Sequence, residues 1–232
     1  MLRRNMPRTE GFVTMNPAVL LIGSKNYSSW SLRGYLLARM SGIAFETRAV
    51  DVGDDESRAQ LLMQPSSTRL PCLLHNGATI WDTLAIAEYL NEQCPDAMMF
   101  PADRVARARC RSISGEMHSS FAVLREALPM NLRVFRPHLR LWSAVRADID
   151  RITEIWRECL GSWHGPWLLG DHPTVADAMF APVVTRFRTY DIKMDAICEP
   201  YCQRVMSWAP LQDWFADAQQ EAETIEELEV EF

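Results

Sequence analysis

The chain has 232 residues, which is enough for one large domain or two small ones. Hydrophobic residues make up 48% of it and charged residues 23%, so the composition is that of an ordinary globular protein and excludes fibrous and intrinsically disordered classes. The formal net charge of -6 gives no general attraction to nucleic acid or to anionic lipid. The longest apolar run, residues 18–22, is far shorter than the roughly 20 residues that cross a bilayer. We therefore expect neither nucleic acid nor a membrane as a partner.

The start of the sequence predicts a disordered extension over residues 1–17. This segment carries Arg3, Arg4 and Arg8 but lacks the apolar core of a secretory signal. An arginine-rich leader is also compatible with a transit peptide, and Met15 is an alternative start, so both alternatives stay open. The default expectation is a cytoplasmic location.

Cysteine and histidine usage argues against disulfides and metal binding. The six cysteines are scattered through the chain, so reduced thiols are expected instead of a disulfide framework. Cys198 and Cys202 are close in sequence, but no further Cys or His lies nearby to complete a metal site. The five histidines show no metal-binding spacing, and there is no glycine-rich phosphate loop. We expect no bound metal.

The first part of the chain alternates strand and helix patterns. Residues 19–23 predict a short buried strand, and a polar loop then leads to an amphipathic helix over residues 30–40 that ends at Gly42. Residues 45–52 alternate apolar and charged side chains, as a half-buried strand does. Residues 56–63 predict a short helix.

Two further strands and a helix follow. Asn76-Gly77 separates two apolar segments, residues 72–75 and 78–81, and is the strongest short-range signal for a two-residue antiparallel hairpin. Asp82 or Thr83 then caps the next helix. The resulting order is β-α-β-α-β-β-α, with a proline just before the third strand, which is the order of a thioredoxin-like α/β domain.

The rest of the chain is predicted to be entirely helical. Long helical patterns begin near residue 103, and a capping box from Thr174 to Asp177 marks the start of a buried helix. Prolines near residue 100 indicate a linker. The predicted organisation is a thioredoxin-like domain over residues 18–95 and an all-helical domain over residues 103–232.

A hydroxyl-rich loop joins the first strand to the first helix. It contains Ser28 and Ser29, whose hydroxyls lie where the helix presents free N–H groups that attract an anion. Serines at a helix start commonly act as N-caps worth about 1 kcal/mol, which is the simpler interpretation. In a thioredoxin-like fold, however, this loop holds the reactive sulfur of the protein or of a bound thiol. Here the protein supplies hydroxyls and no cysteine.

Three separate segments carry a resemblance to a known family. They are Tyr-Ser-Ser-Trp-Ser-Leu-Arg at residues 27–33, Arg69-Leu70-Pro71, and Trp-Asp-Thr-Leu-Ala-Ile-Ala-Glu-Tyr-Leu at residues 81–90. In order and spacing they are similar to cytosolic-type bacterial glutathione transferases, and the first segment is nearest to the Ser-Ser-Cys-Ser motif of the zeta class. The resemblance covers about residues 18–225.

The resemblance implies a glutathione transferase fold, reduced glutathione as co-substrate, and a homodimer. It also implies that the Ser28 hydroxyl donates a hydrogen bond to the glutathione sulfur and favours the thiolate. Ser29, one position nearer the helix, is the alternative donor. The electric field at the helix N-terminus acts in the same direction, because it stabilises a negative charge.

The same resemblance assigns residues to the rest of glutathione. It implies a cis peptide before Pro71, which turns the N–H and C=O of Leu70 towards the cysteinyl unit. Thr83 and the helix N–H groups are expected to bind the γ-glutamyl carboxylate and Asp82 the amine, although the family more often has serine at position 83. Arg69 is a candidate for the glycyl carboxylate.

The pocket for the second substrate is less defined. Trp30 stands where the zeta-class motif has cysteine, a residue associated with that class's isomerase behaviour, which counts against maleylacetoacetate isomerisation. Trp30 is instead a candidate wall of the electrophile pocket, with core packing as the alternative. His118 either contacts the pocket or lies on the surface. Met117, Ser120, Phe121 and Leu124 on the first helix of the helical half are further candidates for an apolar wall, and core packing is the favoured role for most of them.

Two functions are compatible with these features. The first is a detoxifying enzyme that activates the glutathione thiol and adds it to a small electrophile, with isomerisation or dehalogenation as variants. The second is a non-catalytic protein of the same fold that binds a ligand or a partner in a stress response. Retention of Ser28, Leu70-Pro71 and Asp82-Thr83 favours the enzyme. Disulfide exchange would require a cysteine of low pKa where Ser28 and Ser29 stand.

Overall fold

The computed structural model describes residues 17–50, 69–222 and 224–225. Its strands are β1 (Ala18–Ile22), β2 (Phe45–Ala49), β3 (Cys72–His75) and β4 (Ala78–Trp81). They form one mixed sheet of order β2-β1-β3-β4, in which β1 and β2 are parallel and the other two pairs are antiparallel. The strand order of a thioredoxin-like sheet is thereby confirmed.

The predicted hairpin is confirmed at Asn76-Gly77. These residues join β3 to β4 with φ angles of 50° and 78°. A two-residue turn of this kind requires positive φ at both positions, which asparagine and glycine tolerate best. The register places Cys72 opposite Trp81 and His75 opposite Ala78.

Two helices complete the first half of the described chain. α1 (Ser29–Ser41) begins after the N-cap Ser28 and ends at Gly42, whose φ of 73° is left-handed. Glycine suits this position because it has no Cβ to clash with the preceding turn. α2 (Thr83–Gln93) begins after the N-cap Asp82 and packs against α1.

The second half is helical, as the sequence predicts. A short 3-10 turn at Pro95–Ala97 precedes it. Its helices are α3 (Arg104–Ser119), α4 (Ala122–Ala127), α5 (Ser143–Trp163), α6 (Val175–Thr189), α7 (Cys198–Met206) and α8 (Ala209–Gln220). One apolar core runs through both halves of the described chain, because α1 packs against α6 and α2 against α3.

α6 is the central helix of this half, and all of its side chains except that of Arg188 are buried. The predicted capping box is present: the backbone N–H of Thr174 donates to Oδ2 of Asp177 at 2.8 Å. Trp156 of α5 is fully buried, and its ring contacts those of Phe180 and Phe187. Such aromatic edge contacts add about 0.5–1.5 kcal/mol each to the gain from burial.

Some sequence predictions fall outside the described residues. These are the extension over residues 1–17, of which only Pro17 is described, and the helix over residues 56–63. The domain limits at residues 18–95 and 103–232 stay predictions. Among the described helices, none combines the length and the apolarity that a membrane crossing needs.

Candidate active site

The loop between β1 and α1 presents Ser28 at the N-terminus of α1. The Ser28 hydroxyl oxygen accepts the Ser31 N–H at 3.3 Å and lies 2.8 Å from Oγ of Ser31. Oγ of Ser31 in turn accepts the N–H of Gly23 at 3.0 Å. Because hydroxyl protons rotate, Ser31 can supply the proton between the two hydroxyls and leave that of Ser28 for another acceptor.

Ser28 lies close to Leu70 across Gly23. A Cβ atom on Gly23 would lie 3.6 Å from Cβ of Ser28 and 3.8 Å from Cδ1 of Leu70. Ser28 is half-buried, whereas Ser29 is buried within the first turn of α1. Of the two serines predicted to activate a thiol, Ser28 is therefore the more accessible.

A cavity of about 320 Å³ opens beside Leu70, a volume within the range of small-molecule sites. It is formed where the first turn of α1, the segment before β3, the start of α2 and the end of α3 converge. The structure brings six of the predicted site residues to it, together with His118: Trp30, Arg69, Leu70, Pro71, Asp82 and Thr83.

The segment before β3 is held tightly against α1. The Leu70–Pro71 peptide is cis, as the family resemblance implies. A Cβ atom on Gly34 would lie 2.8 Å from both Cβ and Cγ of Pro71. Only glycine at position 34 lets α1 approach Pro71 this closely.

Asp82 is the N-cap of α2 and has both carboxylate oxygens engaged. Oδ1 accepts the N–H of Leu84 at 2.8 Å, and Oδ2 lies 2.6 Å from Nε2 of His118. The side chains of Asp82 and His118 are 39% and 33% exposed, so a ligand in the cavity can reach both. His118, whose position the sequence leaves open, therefore belongs to the cavity.

Thr83 supplies a buried hydroxyl that finds no partner in the described part of the chain. Thr83 is 1% exposed and lines the cavity, and its Oγ1 has no hydrogen-bond partner among the described residues. A buried polar atom left unpaired costs about 1–3 kcal/mol. Because Thr83 is also the first residue of α2, the helix N–H groups beside it favour an anion. This pair of features fits the carboxylate of a ligand.

Two arginines contact the Trp30 ring, and a third, Arg186, lies close enough to both to repel them. The guanidinium carbons of Arg33 and Arg125 lie 4.5 Å and 5.3 Å from the centre of the Trp30 ring. Arg33 is 0% exposed and Arg186 is 4% exposed, which is rare for arginine unless a carboxylate accompanies it. Within the described chain, none of the three forms an ion pair.

Main-chain carbonyl groups, and no carboxylates, hold the two buried arginines. Nε of Arg33 donates to the carbonyl of Met179, and Nε of Arg186 to that of Leu128, each at 2.8 Å. Nη2 of Arg33 has no hydrogen-bond partner within residues 17–50, 69–222 and 224–225. Burial lowers the pKa of both groups, that of Arg186 to about 10, and repulsion from Arg125 adds to the effect. The cluster therefore carries excess positive charge next to the cavity wall.

The residues predicted to form an apolar wall lie elsewhere. Met117, Phe121 and Leu124 are 0%, 5% and 0% exposed and pack in the core. Ser120 is half-buried at the C-cap of α3. The structure does not bring these four side chains to the cavity described above.

Sequence reasoning missed the arginine cluster. The available signal was Arg186, which lies three residues after Val183 and one before Phe187, on a helix that is otherwise apolar on this face. A basic residue inside an apolar pattern points to a buried charge. Among the described residues, no group of three or more metal-ligating side chains comes together.

Comparison with known families gives matches over both halves. Residues 27–93 match the family model for the glutathione S-transferase N-terminal domain, and residues 115–217 match that for the C-terminal domain. Together these segments cover most of the chain.

Individual relatives are distant. A probable maleylacetoacetate isomerase of Caenorhabditis elegans is 26% identical over 178 residues, 72% of this chain and 78% of that protein. A crystal structure of a glutathione transferase homologue from Burkholderia with bound glutathione has a TM-score of 0.67 at 23% identity and covers 90% of this chain and 100% of that one. A maleylacetoacetate isomerase structure from Anaeromyxobacter dehalogenans, with glutathione in its active site, has a TM-score of 0.61 at 25% identity and covers 89% and 98%.

Proposed function

The chain belongs to the glutathione transferase family, and on that premise we propose that Ser28 activates the thiol of reduced glutathione for addition to a small electrophile that carries an anionic group. The observation that carries the proposal is the cavity lined by Leu70, Pro71, Asp82 and Thr83; Ser28 is not among its lining residues but lies near Leu70 across Gly23. These residues offer glutathione three kinds of partner. Leu70 serves its backbone, Asp82 and Thr83 serve its γ-glutamyl end, and Ser28 serves its sulfur.

The γ-glutamyl end has two complementary groups at the start of α2. The unpartnered Thr83 hydroxyl and the N–H groups of the first helical turn suit the carboxylate. Oδ2 of Asp82 suits the ammonium group, as a charge-assisted hydrogen bond. The backbone of Leu70 then pairs with the cysteinyl unit and leaves the sulfur directed to Ser28.

At the sulfur, the Ser28 hydroxyl donates a hydrogen bond that favours the thiolate over the thiol. The two hydroxyl oxygens lie 2.8 Å apart, so Ser31 can support this by rotating its proton towards Oγ of Ser28, which frees the Ser28 proton for the sulfur. The thiol proton leaves to solvent, and the N-terminus of α1 stabilises the remaining negative charge. The thiol pKa falls, so more nucleophile is present near neutral pH.

The second substrate is then a small electrophile with a carboxylate or similar group. The positive cluster of Arg33, Arg125 and Arg186 around Trp30 lacks a carboxylate partner in the described chain, so an anionic substrate group would offset its charge. In the addition step the S–C bond forms while the electron pair of the attacked double bond moves away and is protonated. Isomerisation begins with the same addition and ends with expulsion of the thiolate.

We also propose a cytoplasmic homodimer with a role in detoxification. β4 is an edge strand of the sheet, and its last residue, Trp81, has 41% of its surface exposed. Large exposed aromatic side chains are enriched where proteins associate. Sedimentation of the purified protein tests the dimer, because a single monomeric species would contradict it.

The test of the main proposal is a titration of bound glutathione. The ultraviolet absorbance of the thiolate is followed against pH for the wild type, Ser28→Ala and Ser29→Ala. We expect a lowered thiol pKa in the wild type that persists in Ser29→Ala and is lost in Ser28→Ala. Binding without a pKa shift, or a shift that survives Ser28→Ala, contradicts the proposed activation.

A further inference from the structure

The loop that precedes Ser28 closes around a carboxylate from the far end of the chain. Glu221 is the C-cap of α8 and accepts three hydrogen bonds from this loop. Its Oε2 accepts the Ser24 hydroxyl at 2.6 Å and the Asn26 N–H at 2.9 Å, while Oε1 accepts the Lys25 N–H at 2.8 Å. Consecutive N–H groups turned towards one anion form a strong local trap for negative charge.

The helical half holds the rest of this loop as well. The indole N–H of Trp214 donates to the carbonyl of Lys25 at 2.8 Å. The buried side chain of Asn26 accepts the N–H of Leu132 at 2.7 Å. Arg133 donates both to the Glu221 carbonyl, at 2.6 Å, and to the Tyr27 hydroxyl, at 3.1 Å. Residues 24–27 are thus shaped by groups that lie more than 100 positions along the chain.

The position of Ser28 depends on the conformation of this loop. Its backbone N–H donates to the carbonyl of Ser24 at 3.0 Å. Ser24 is in turn the residue whose hydroxyl bonds to Glu221. A shift of Ser24 therefore moves the N-cap that carries the hydroxyl.

We propose that Glu221 is a positioning residue that holds the thiol-activating hydroxyl of Ser28 in place from the C-terminal side of the protein. The proposal rests on the function proposed above, because it assigns Ser28 the activating role. Glu221 contacts the loop at residues 24–26, makes no hydrogen bond to Ser28 itself within the described chain, and acts through Ser24. Its effect should therefore appear in turnover and in thiol pKa, and much less in glutathione affinity.

The experiment compares Glu221→Ala, Glu221→Gln and the control Asp217→Asn in the full chain. Asp217 lies on the same helix and pairs with the side chain of Lys25 at 2.5 Å, but it accepts no backbone N–H of the loop and is 56% exposed. The measurements are amide hydrogen exchange of the peptide that contains residues 23–33, the pKa of the bound glutathione thiol, and kcat and KM with a chloronitrobenzene.

We expect Glu221→Ala to expose the loop amides to exchange, to raise the thiol pKa and to lower kcat about tenfold, with KM for glutathione changed less than about twofold. Glu221→Gln retains one acceptor oxygen and should be intermediate. Asp217→Asn should match the wild type, because exposed ion pairs contribute little.

Two results overturn the proposal. One is loop amides that exchange faster in Glu221→Ala while thiol pKa and kcat stay at the wild-type values. The other is equal losses in Glu221→Ala and Asp217→Asn, which would mean that any change in α8 has this effect. If Glu221→Ala fails to fold, Glu221→Gln decides between these results. Failure of the proposed function is separate, since it shows in the wild type as an unshifted thiol pKa.

Discussion

Nε2 of His118 lies 2.6 Å from Oδ2 of Asp82, although 36 positions separate the two residues. Oδ1 of the same carboxylate is fixed by the N–H of Leu84. Asp82 is thus oriented from both sides before any ligand arrives, by its own helix and by α3 of the helical half. Preorganisation of this kind reduces the entropy lost on binding.

The first prediction concerns that contact. His118→Phe keeps a ring beside Trp30 but removes the hydrogen bond to Asp82, and we expect KM for glutathione to rise about three- to tenfold with little change in kcat. His118→Gln places an amide N–H near the position of Nε2 and should recover most of the loss. Steady-state kinetics with varied glutathione give the answer. A fall in kcat alone would place His118 in the chemical step instead.

The second prediction concerns the contribution of Ser31 to the lowered pKa of the bound thiol. Ser31→Ala removes the hydroxyl that bonds to Oγ of Ser28 and to the N–H of Gly23. We expect the pKa of the bound thiol to rise by about half a unit to one unit, because Ser28 loses a donor but keeps its own proton. The titration of thiolate absorbance measures this. An unchanged pKa would show that Ser28 acts without Ser31.

The third prediction uses charge on the second substrate. Arg125→Gln removes the half-buried member of the arginine cluster and keeps a polar side chain near Trp30. With two aryl halides that differ by one carboxylate, kcat/KM should fall about tenfold for the anionic compound and stay near the wild-type value for the neutral one. Equal effects on both compounds would show that the arginine cluster does not select substrates by their charge.

The fourth prediction tests the approach of α1 to the cis proline. Gly34→Ala places a Cβ 2.8 Å from Cβ and Cγ of Pro71, so the helix or the proline must move. We expect a loss of about 1–3 kcal/mol in the free energy of unfolding. Gly115→Ala in α3 is the control, because a Cβ there meets no atom within 4 Å, and it should gain about 0.5–1 kcal/mol. Urea unfolding of both variants compares the two sites.

The fifth prediction concerns acid stability. Oδ1 of Asp195 accepts the N–H groups of Cys198 and Ile197, at 2.8 Å and 2.9 Å, at the start of α7, and the bond to Cys198 contributes most to lowering the Asp195 pKa. A lowered pKa means that the unfolded chain takes up a proton first as pH falls, so the stabilisation is present above about pH 4 and is lost below it. Asparagine keeps an acceptor oxygen and the Asp195 side chain is 38% exposed, so Asp195→Asn should cost only about 0.3–0.5 kcal/mol near neutral pH and almost nothing in strong acid. Urea unfolding of the wild type and the variant at several pH values measures this. A difference in the free energy of unfolding that stays constant with pH would contradict the prediction.

Local patterns predicted much of the fold. Asn76-Gly77, Gly42 and the Thr174–Asp177 capping box each depend on a few neighbouring residues, and each is found where the sequence places it. The contacts of His118 and Arg33 could not be predicted in this way, because Asp82 and Met179 reach them only through tertiary packing. Apolar spacing also cannot tell a pocket wall from a core.

The same distinction between local motifs and tertiary packing applies to the site residues. Leu70, Pro71, Asp82 and Thr83 could be named because they stand in short motifs that resemble those of glutathione transferases, and all four line the cavity. Met117 and Phe121 were named from their predicted place on the first helix of the helical half, with core packing as the favoured alternative, and they are buried. The role of Glu221 has no signal in the sequence, since its partners lie 195–197 positions away.

The bond from Arg33 to the carbonyl of Met179 also sets an order of events during protein synthesis. α1 leaves the ribosome long before residue 179 is added, 146 positions later. Over that interval the guanidinium of Arg33 lacks its main acceptor and keeps its water, since burying a charged group without hydrogen-bond acceptors is costly. The sheet of the first half can form early, as N-terminal units do. The face of α1 that contacts α6 can close only after translation has passed Met179.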